Sequence, residues 1–321
     1  MTLSTLSLMT ATTSCIYDDR SDCILDVRFT YSYNVKGEDA FSSEIKEISL
    51  YIFDSEGIFV GQVDERGNGF PISYSVKMPS LRAGDYTFVA LGRNRAVVDT
   101  SREFEFSCLE SGESGLSDLT MFLNMVDNVC DSEIAALYNG IESTRLRSGP
   151  QSVTIHMKKL TNRFKIILLP YNGSGKLESD DIDIRIEGNA SWLNYKGDKH
   201  VDQATTYLPF GKKSYSAVSK SDQEVSMAIV AELNTSRLLV DDKPTLIISN
   251  SEDGRELLRV NLAWLLTLQA IDEHKREWSK QEYLDRQDAY NLTFFVDNDL
   301  LLKSTVIING WNLDISDLSL G

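Results

Sequence analysis

Short segments of alternating apolar and polar residues, each closed by a turn signal, recur along most of the chain. That period of two constrains the fold more than any other feature. Successive side chains of a strand point to opposite faces, so alternation describes a segment with one face in a core and one in water. Residues 24–34 put Leu25, Val27, Phe29, Tyr31 and Tyr33 on one face and Asp26, Arg28, Thr30 and Ser32 on the other. Ile48, Leu50 and Ile52 alternate in a second segment, which stops at the turn Asp54-Ser55-Glu56-Gly57. Residues 58–63 return, which predicts a hairpin. Tyr74, Val76 and Met78 come next, then a turn over 81–85 and a strand over 86–91.

A second series starts at Ser152. Val153, Ile155 and Met157 alternate, and residues 164–169 form an apolar run ending at Pro170. Ile182, Ile184 and Ile186 alternate, as do Val225, Met227 and Ile229, and then Tyr290, Leu292, Phe294 and Val296. Residues 245–249 supply one more strand. Val306 and Ile308 lead into Asn309-Gly310-Trp311, read as a tight turn with an aromatic plug. Two stretches break the period. Residues 109–151, rich in Ser, Gly and acids, read as a linker or excursion with a weak helical stretch over 116–123. Over 264–286, Trp264, Leu265, Leu268, Ile271, Trp278 and Leu284 fall near helical spacing, which predicts one amphipathic helix. Regularly spaced short strands describe β-sandwiches or barrels. The expectation is a mainly β chain of two sandwich domains in series, residues 24–148 and 149–321, joined near residue 145.

The 321 residues carry 32 Lys+Arg against 48 Asp+Glu, a formal charge of −16. A nucleic-acid binder would normally present a basic face to phosphates, so that class is excluded, as is unaided docking on anionic lipid. The apolar fraction of 42% is enough for a core. No run of about 18 apolar residues occurs that would span a membrane as a helix.

Residues 1–14 are uncharged, small and apolar, like the tail of a lipoprotein signal, and Cys15 follows. Ser14 fits the small residue before a lipidated Cys, Thr12 stands where Leu is usual, and a basic opening region is absent. The expectation is lipidation at Cys15, with residues 15–23 as a polar tether. The other cysteines are Cys23, Cys108 and Cys130. No CxxC pair occurs, which argues against a zinc ribbon. Cys108 and Cys130 flank one polar segment and either pair in an exported protein or remain two free thiols.

No motif assembles a catalytic site. Gly112-Glu113-Ser114-Gly115 lacks the spacing of a nucleophile elbow. Gly173-Ser174-Gly175-Lys176 lacks the earlier Gly and the following Ser/Thr of a phosphate loop, and reads as a hairpin turn. Asp180-Asp181-Ile182-Asp183 lacks the Gly and distal Glu of a calcium loop and reads as the solvated start of a strand. His156, His200 and His274 are far apart, and His274 with Glu277 reads as a surface pair. Asn172, Asn189, Asn234 and Asn291 occupy N-x-S/T sequons. Neither enzyme activity, a metal nor a cofactor is expected.

The order of several motifs resembles the fimbrial anchor and assembly subunits of Bacteroidales type V pili, the FimB-like lipoproteins. The resemblance begins at Cys15 and Cys23 and the pattern Phe29, Tyr31, Asn34. It continues through residues 48–60, 84–92 and 136–140, and ends with 282–286 and 307–311. It implies two transthyretin-like β-sandwich domains, a lipid anchor in the outer membrane at the fimbrium base, and shaft subunits held by strand addition. In that mode a lent strand pairs with an open sheet edge. The acidic tether resembles the export signal of surface lipoproteins. Strands able to leave a sheet are expected over residues 25–33 and 306–315, because terminal strands come away without threading the chain. Two alternatives remain at this level. One is a carbohydrate-binding surface lipoprotein with an aromatic platform from Trp192, Tyr195 and Tyr207. The other is a secreted hydrolase with two convergent carboxylates.

Overall fold

The computed structural model describes residues 24–79, 81–94, 102–171, 177–201, 203, 205–218, 225–273, 278–297 and 301–314. The described chain is mainly β. In its first part, β1 (Ile24–Thr30) buries Leu25, Val27 and Phe29 and turns Asp26 and Arg28 outward, as the alternation predicts. After it come α1 (Phe41–Glu44), β2 (Glu47–Phe53), β3 (Phe59–Arg66), β4 (Ser75–Pro79) and β5 (Gly84–Arg93). β6 (Phe104–Phe106) precedes the excursion, which contributes β7 (Thr120–Leu123), β8 (Val129–Cys130) and β9 (Leu137–Leu146), and β10 spans Gln151–Lys159.

Seven of these strands form one sheet in the order β3-β2-β5-β9-β10-β1-β4. The lower half of β10 runs parallel to β1, from Leu25↔Gln151 to Thr30↔His156. Its upper half, Met157 to Lys159, pairs antiparallel with β9. The sheet curls at this changeover, so Val27 and Val76 on one half share a core with Ile48, Leu50 and Phe88 on the other. Gly140 sits at the curl. A Cβ there would lie 2.6 Å from Ile155 Cγ2 and 2.7 Å from the His156 carbonyl oxygen, so only a residue without a side chain fits.

The second part contains β11 (Thr161–Pro170), β12 (Ile182–Asn189), β13 (Trp192–Asn194), β14 (Thr205–Tyr207), β15 (Gly211–Val218), β16 (Val225–Ser236), β17 (Thr245–Asn250) and β18 (Glu256–Asn261). Then follow α2 (Leu262–Glu273), α3 (Lys280–Arg286), β19 (Ala289–Val296), β20 (Leu302–Ile308) and β21 (Trp311–Asp314). A six-stranded sheet, β15-β16-β11-β19-β20-β21, shares its core with a five-stranded sheet, β18-β17-β12-β14-β8. Phe164, Ile166, Leu292 and Phe294 of the first are clustered with Ile182, Ile184, Leu246 and Ile248 of the second. A three-stranded sheet, β13-β7-β6, joins the same core.

Three expectations change. The residues read as a linker carry the strands β7, β8 and β9, and β9 and β10 stay in the first sheet as far as Lys159. The expected junction near residue 145 therefore falls inside β9. Alternation fails in the first half of β9 because Leu137, Tyr138, Asn139 and Gly140 are all buried. Residues 116–123 make only a turn of 3-10 helix, Leu116–Asp118, before β7. The one helix expected over 264–286 is two. The hydroxyl of Ser279 accepts from the Glu282 backbone N–H and starts α3 anew.

Candidate functional site

The sequence motifs do not converge on a reaction centre. Among the described residues, no three His, Cys, Asp or Glu side chains come together as a metal set. His156 lies 2.9 Å from the Thr30 hydroxyl, and the His200 ring packs against Trp192 at 5.1 Å. His274, Glu277 and the Gly173-to-Lys176 turn lie outside the described residues. Residues 112–115 form a turn, in which the Ser114 hydroxyl accepts from the Glu110 N–H. Nor is there the aromatic platform that a glycan-binding reading needs from Trp192, Tyr195 and Tyr207. Tyr207 is fully buried and donates its hydroxyl to the Ala190 carbonyl, while Trp192 is packed between Phe122 and His200.

Cys15 and Cys23 also lie outside the described residues. Cys108 and Cys130 are both free thiols, so the disulfide is not formed. Cys108 is exposed just after β6, and Cys130 is buried in β8, a strand of a different sheet. The Cys130 thiol donates to the Ser132 carbonyl, and burial pushes its pKa up.

What remains is a set of sheet edges and the contact between the two sheet systems. An edge strand carries unpaired N–H and C=O groups, which a strand from another chain can complete. The β3 edge is partly covered: the Phe59 N–H donates to the Ser114 carbonyl at 2.8 Å, and the Gly112 N–H donates to the Phe59 carbonyl at 2.9 Å. The two terminal strands differ sharply. β1 is interior, bonded to β10 on one side and to β4 on the other, so it cannot leave without breaking two ladders. Among the described residues β21 is the edge of the six-stranded sheet and pairs only with β20, from Thr305↔Asp314 to Ile308↔Trp311. Residues 309–310 make the hairpin turn. Asn309 and Gly310 both have positive φ, and Asn309 bonds β19 through Asn291 in both directions. Trp311 is the first residue of β21. Beneath the hairpin, Val306 and Ile308 are completely buried.

Polar side chains tie the two sheet systems together, and sequence reading did not find them. Lys159, at the end of β10, pairs with Glu44 of α1 at 3.2 Å and with Asp288 before β19. Tyr138 donates to the same Glu44 at 2.7 Å. Burial alone would pull the Lys159 pKa down, but Asp288 and Glu44 outweigh it and hold the ammonium above the usual lysine value. Arg286 lies over the Tyr33 ring at 4.1 Å, and the Val35 N–H donates to the Arg286 carbonyl. Deeper in the second part, Arg237 grips Asp285 with two bonds of 2.6 and 2.7 Å and reaches Asp198 at 2.8 Å. The available signal was a lone Arg between Ser236 and the apolar run 238–240.

The sequence profile of the fimbrillin-A associated anchor proteins Mfa1 and Mfa2 matches residues 20–317. Several solved structures are similar. A candidate polysaccharide-binding protein from Bacteroides thetaiotaomicron is 26% identical with a TM-score of 0.77, covering 92% of this chain and 99% of that one. A candidate adhesin from the same organism is 25% identical with a TM-score of 0.78, covering 91% and 97%. The fimbrial anchor protein Mfa2 from Porphyromonas gingivalis is 17% identical with a TM-score of 0.65, covering 91% and 99%, a likeness of fold alone. No curated protein matches. With its profile spanning nearly the whole chain, this protein belongs to the family of fimbrillin-A associated anchor proteins.

Proposed function

We propose that this chain holds a fimbrial shaft at the cell surface, with lipid on Cys15 as its tie to the outer membrane and the β20–β21 hairpin as its grip on the shaft. Membership of an anchor family carries the reading. The edge position of β21 supports the choice of grip. A shaft strand takes the place of β21 beside β20, and main-chain hydrogen bonds supply the affinity. The core under Val306 and Ile308 then stays covered throughout the exchange. No described helix is long and apolar enough to cross a membrane. Acyl chains contribute about 0.8 kcal/mol per buried CH₂, enough for several together to make a firm hold.

Each half of the proposal has its own test. Cys15→Ala should move the protein from the membrane to the soluble fraction, and full retention in the membrane would remove the lipid anchor. A cross-link between Thr305→Cys and Asp314→Cys, opposite each other in the hairpin, should block recovery of shaft subunits in a pull-down. Reductant should restore it. Equal recovery with the hairpin locked and unlocked would show that β21 is not displaced.

A further inference from the structure

The strand order contains a mechanical arrangement that the anchor reading does not by itself require. β1, at the chain's tether end, lies parallel to β10 over six successive pairs, Leu25↔Gln151 through Thr30↔His156. β10 runs on through Lys159 and Leu160 into β11. Leu160 is completely buried, and its N–H donates to the Leu137 carbonyl at 2.7 Å. β11 is an interior strand of the six-stranded sheet, with eight antiparallel pairs to β16 and eight parallel pairs to β19. The second sheet system therefore hangs from the C-terminal end of β10, and the tether enters at the N-terminal end of β1. In a parallel pair these are opposite ends of the ladder.

From this geometry we infer that the β1–β10 ladder is a shear clamp, which passes tension from the N-terminal tether directly into the central strand of the second part. The inference rests on the anchor reading only for the source of the load. Tension pulls β1 toward its N-terminus and β10 toward its C-terminus, so the strands slide past each other and all the bridging hydrogen bonds are loaded together. Were the attachments at the same end, the ladder would open one bond at a time. Three further features oppose sliding. β4 flanks β1 on its other side, from Ile24↔Pro79 to Arg28↔Ser75. Leu25, Val27 and Phe29 are buried at 3% exposure or less, so a slip of one residue would turn them out of the core. Lys159, at the load-bearing end of β10, is tied to both Glu44 and Asp288.

Forced unfolding is governed by the unfolding barrier along the pulling direction, so the test is a change of direction on an unchanged protein. The full chain is pulled from its N-terminus against a handle at Lys165, in β11, or against a handle at Ser148, in the turn before β10. The first geometry shears the ladder. The second peels it from the Leu25↔Gln151 end. A several-fold higher first-rupture force in the shear geometry is expected, and equal forces would overturn the clamp. A second measurement locates the event. Arg28→Cys with Thr154→Cys places two thiols opposite each other across the ladder. Oxidation should abolish the first shear rupture and reductant should restore it, whereas an unchanged first rupture places the weak point elsewhere and overturns the inference. A strong clamp in a protein that retains no shaft would sink the anchor reading alone. A weak clamp in a proven anchor would sink only this inference.

Discussion

The two sheet systems solve the problem of a terminal strand in opposite ways. In the first, the chain enters through β1, which is interior, and the sheet curls around a core closed by the packed rings of Phe29, Phe41, Phe70 and Tyr74. In the second, the last described strand, β21, lies at an edge, held by a single ladder. Its interior is also more polar, with Arg237, Asp285, Asn189, Ser236 and Thr235 all buried. The lesson is that one molecule has a closed end and an open end. In the proposed function the closed end takes the tether and the open end takes part in strand exchange.

The two parts differ most in the polar interior of the second. Asp285→Ala leaves Arg237 buried without its bidentate partner, a loss of about 3–5 kcal/mol. All four tryptophans lie in the second part, so their fluorescence in a urea titration reports that part. The midpoint should fall steeply, and a change under about 1 kcal/mol would show that the pair is not structural in the way a buried ion pair must be.

The next comparison uses one substitution in both parts. Gly140→Ala drives a methyl into Ile155 and the His156 carbonyl, and overpacking against backbone should cost about 3 kcal/mol. Gly310→Ala meets nothing within 4 Å and suffers only from its positive φ of 94°, a cost of about 1 kcal/mol. Equal losses in chemical denaturation would mean that the curl at β10 is not the tight point of the fold.

The smallest effect is alkaline. Burial raises the phenol pKa of Tyr31, Tyr51 and Tyr138, and lifts Tyr74 to about 12, in the first part; Tyr207 and Tyr290 are raised in the second. A group whose folded pKa is raised contributes its stability fully below the unfolded value and loses it as pH climbs toward the folded one. Both parts should therefore weaken above about pH 10, the unfolded tyrosine value. The first part should weaken sooner, since it holds more of these phenols. Phenolate absorbance followed beside tryptophan fluorescence would separate the two, and simultaneous loss would erase the distinction.

Much of the local structure was legible. β1, β12 and β19 alternate because each has one strongly apolar face, and the pattern finds all three, although the strand read over 24–34 ends at Thr30. Where the pattern failed, the cause was burial on both faces or very short length. Leu50, Tyr51, Ile52 and Phe53 of β2 serve two cores, the even positions facing the first and the odd positions the second. Only the first of these cores was visible in the period. β8 has two residues and β14 three, too few to show any period. The candidate site was less legible. Terminal position points equally to residues 306–315 and 25–33 as removable strands; β21 lies in the first range at an edge among the described residues, which stop short of Ile315, whereas the strand of the second range is interior.

The amino-acid sequence determined that this chain is mainly β, where most strands and turns fall, and, through an ordered set of motifs, its family. Those properties rest on neighbours within a few residues, where side-chain alternation and turn chemistry act. The tertiary structure alone decided which terminal strand is locked and which lies open. It also brought Lys159 to Glu44 across 115 positions and to Asp288 across 129. An edge is defined by the absence of a neighbour, and a salt bridge by the meeting of distant charges. Both depend on how strands far apart in the chain are ordered in a sheet, and a strand with a given pattern is equally at home in the middle of a sheet or at its border.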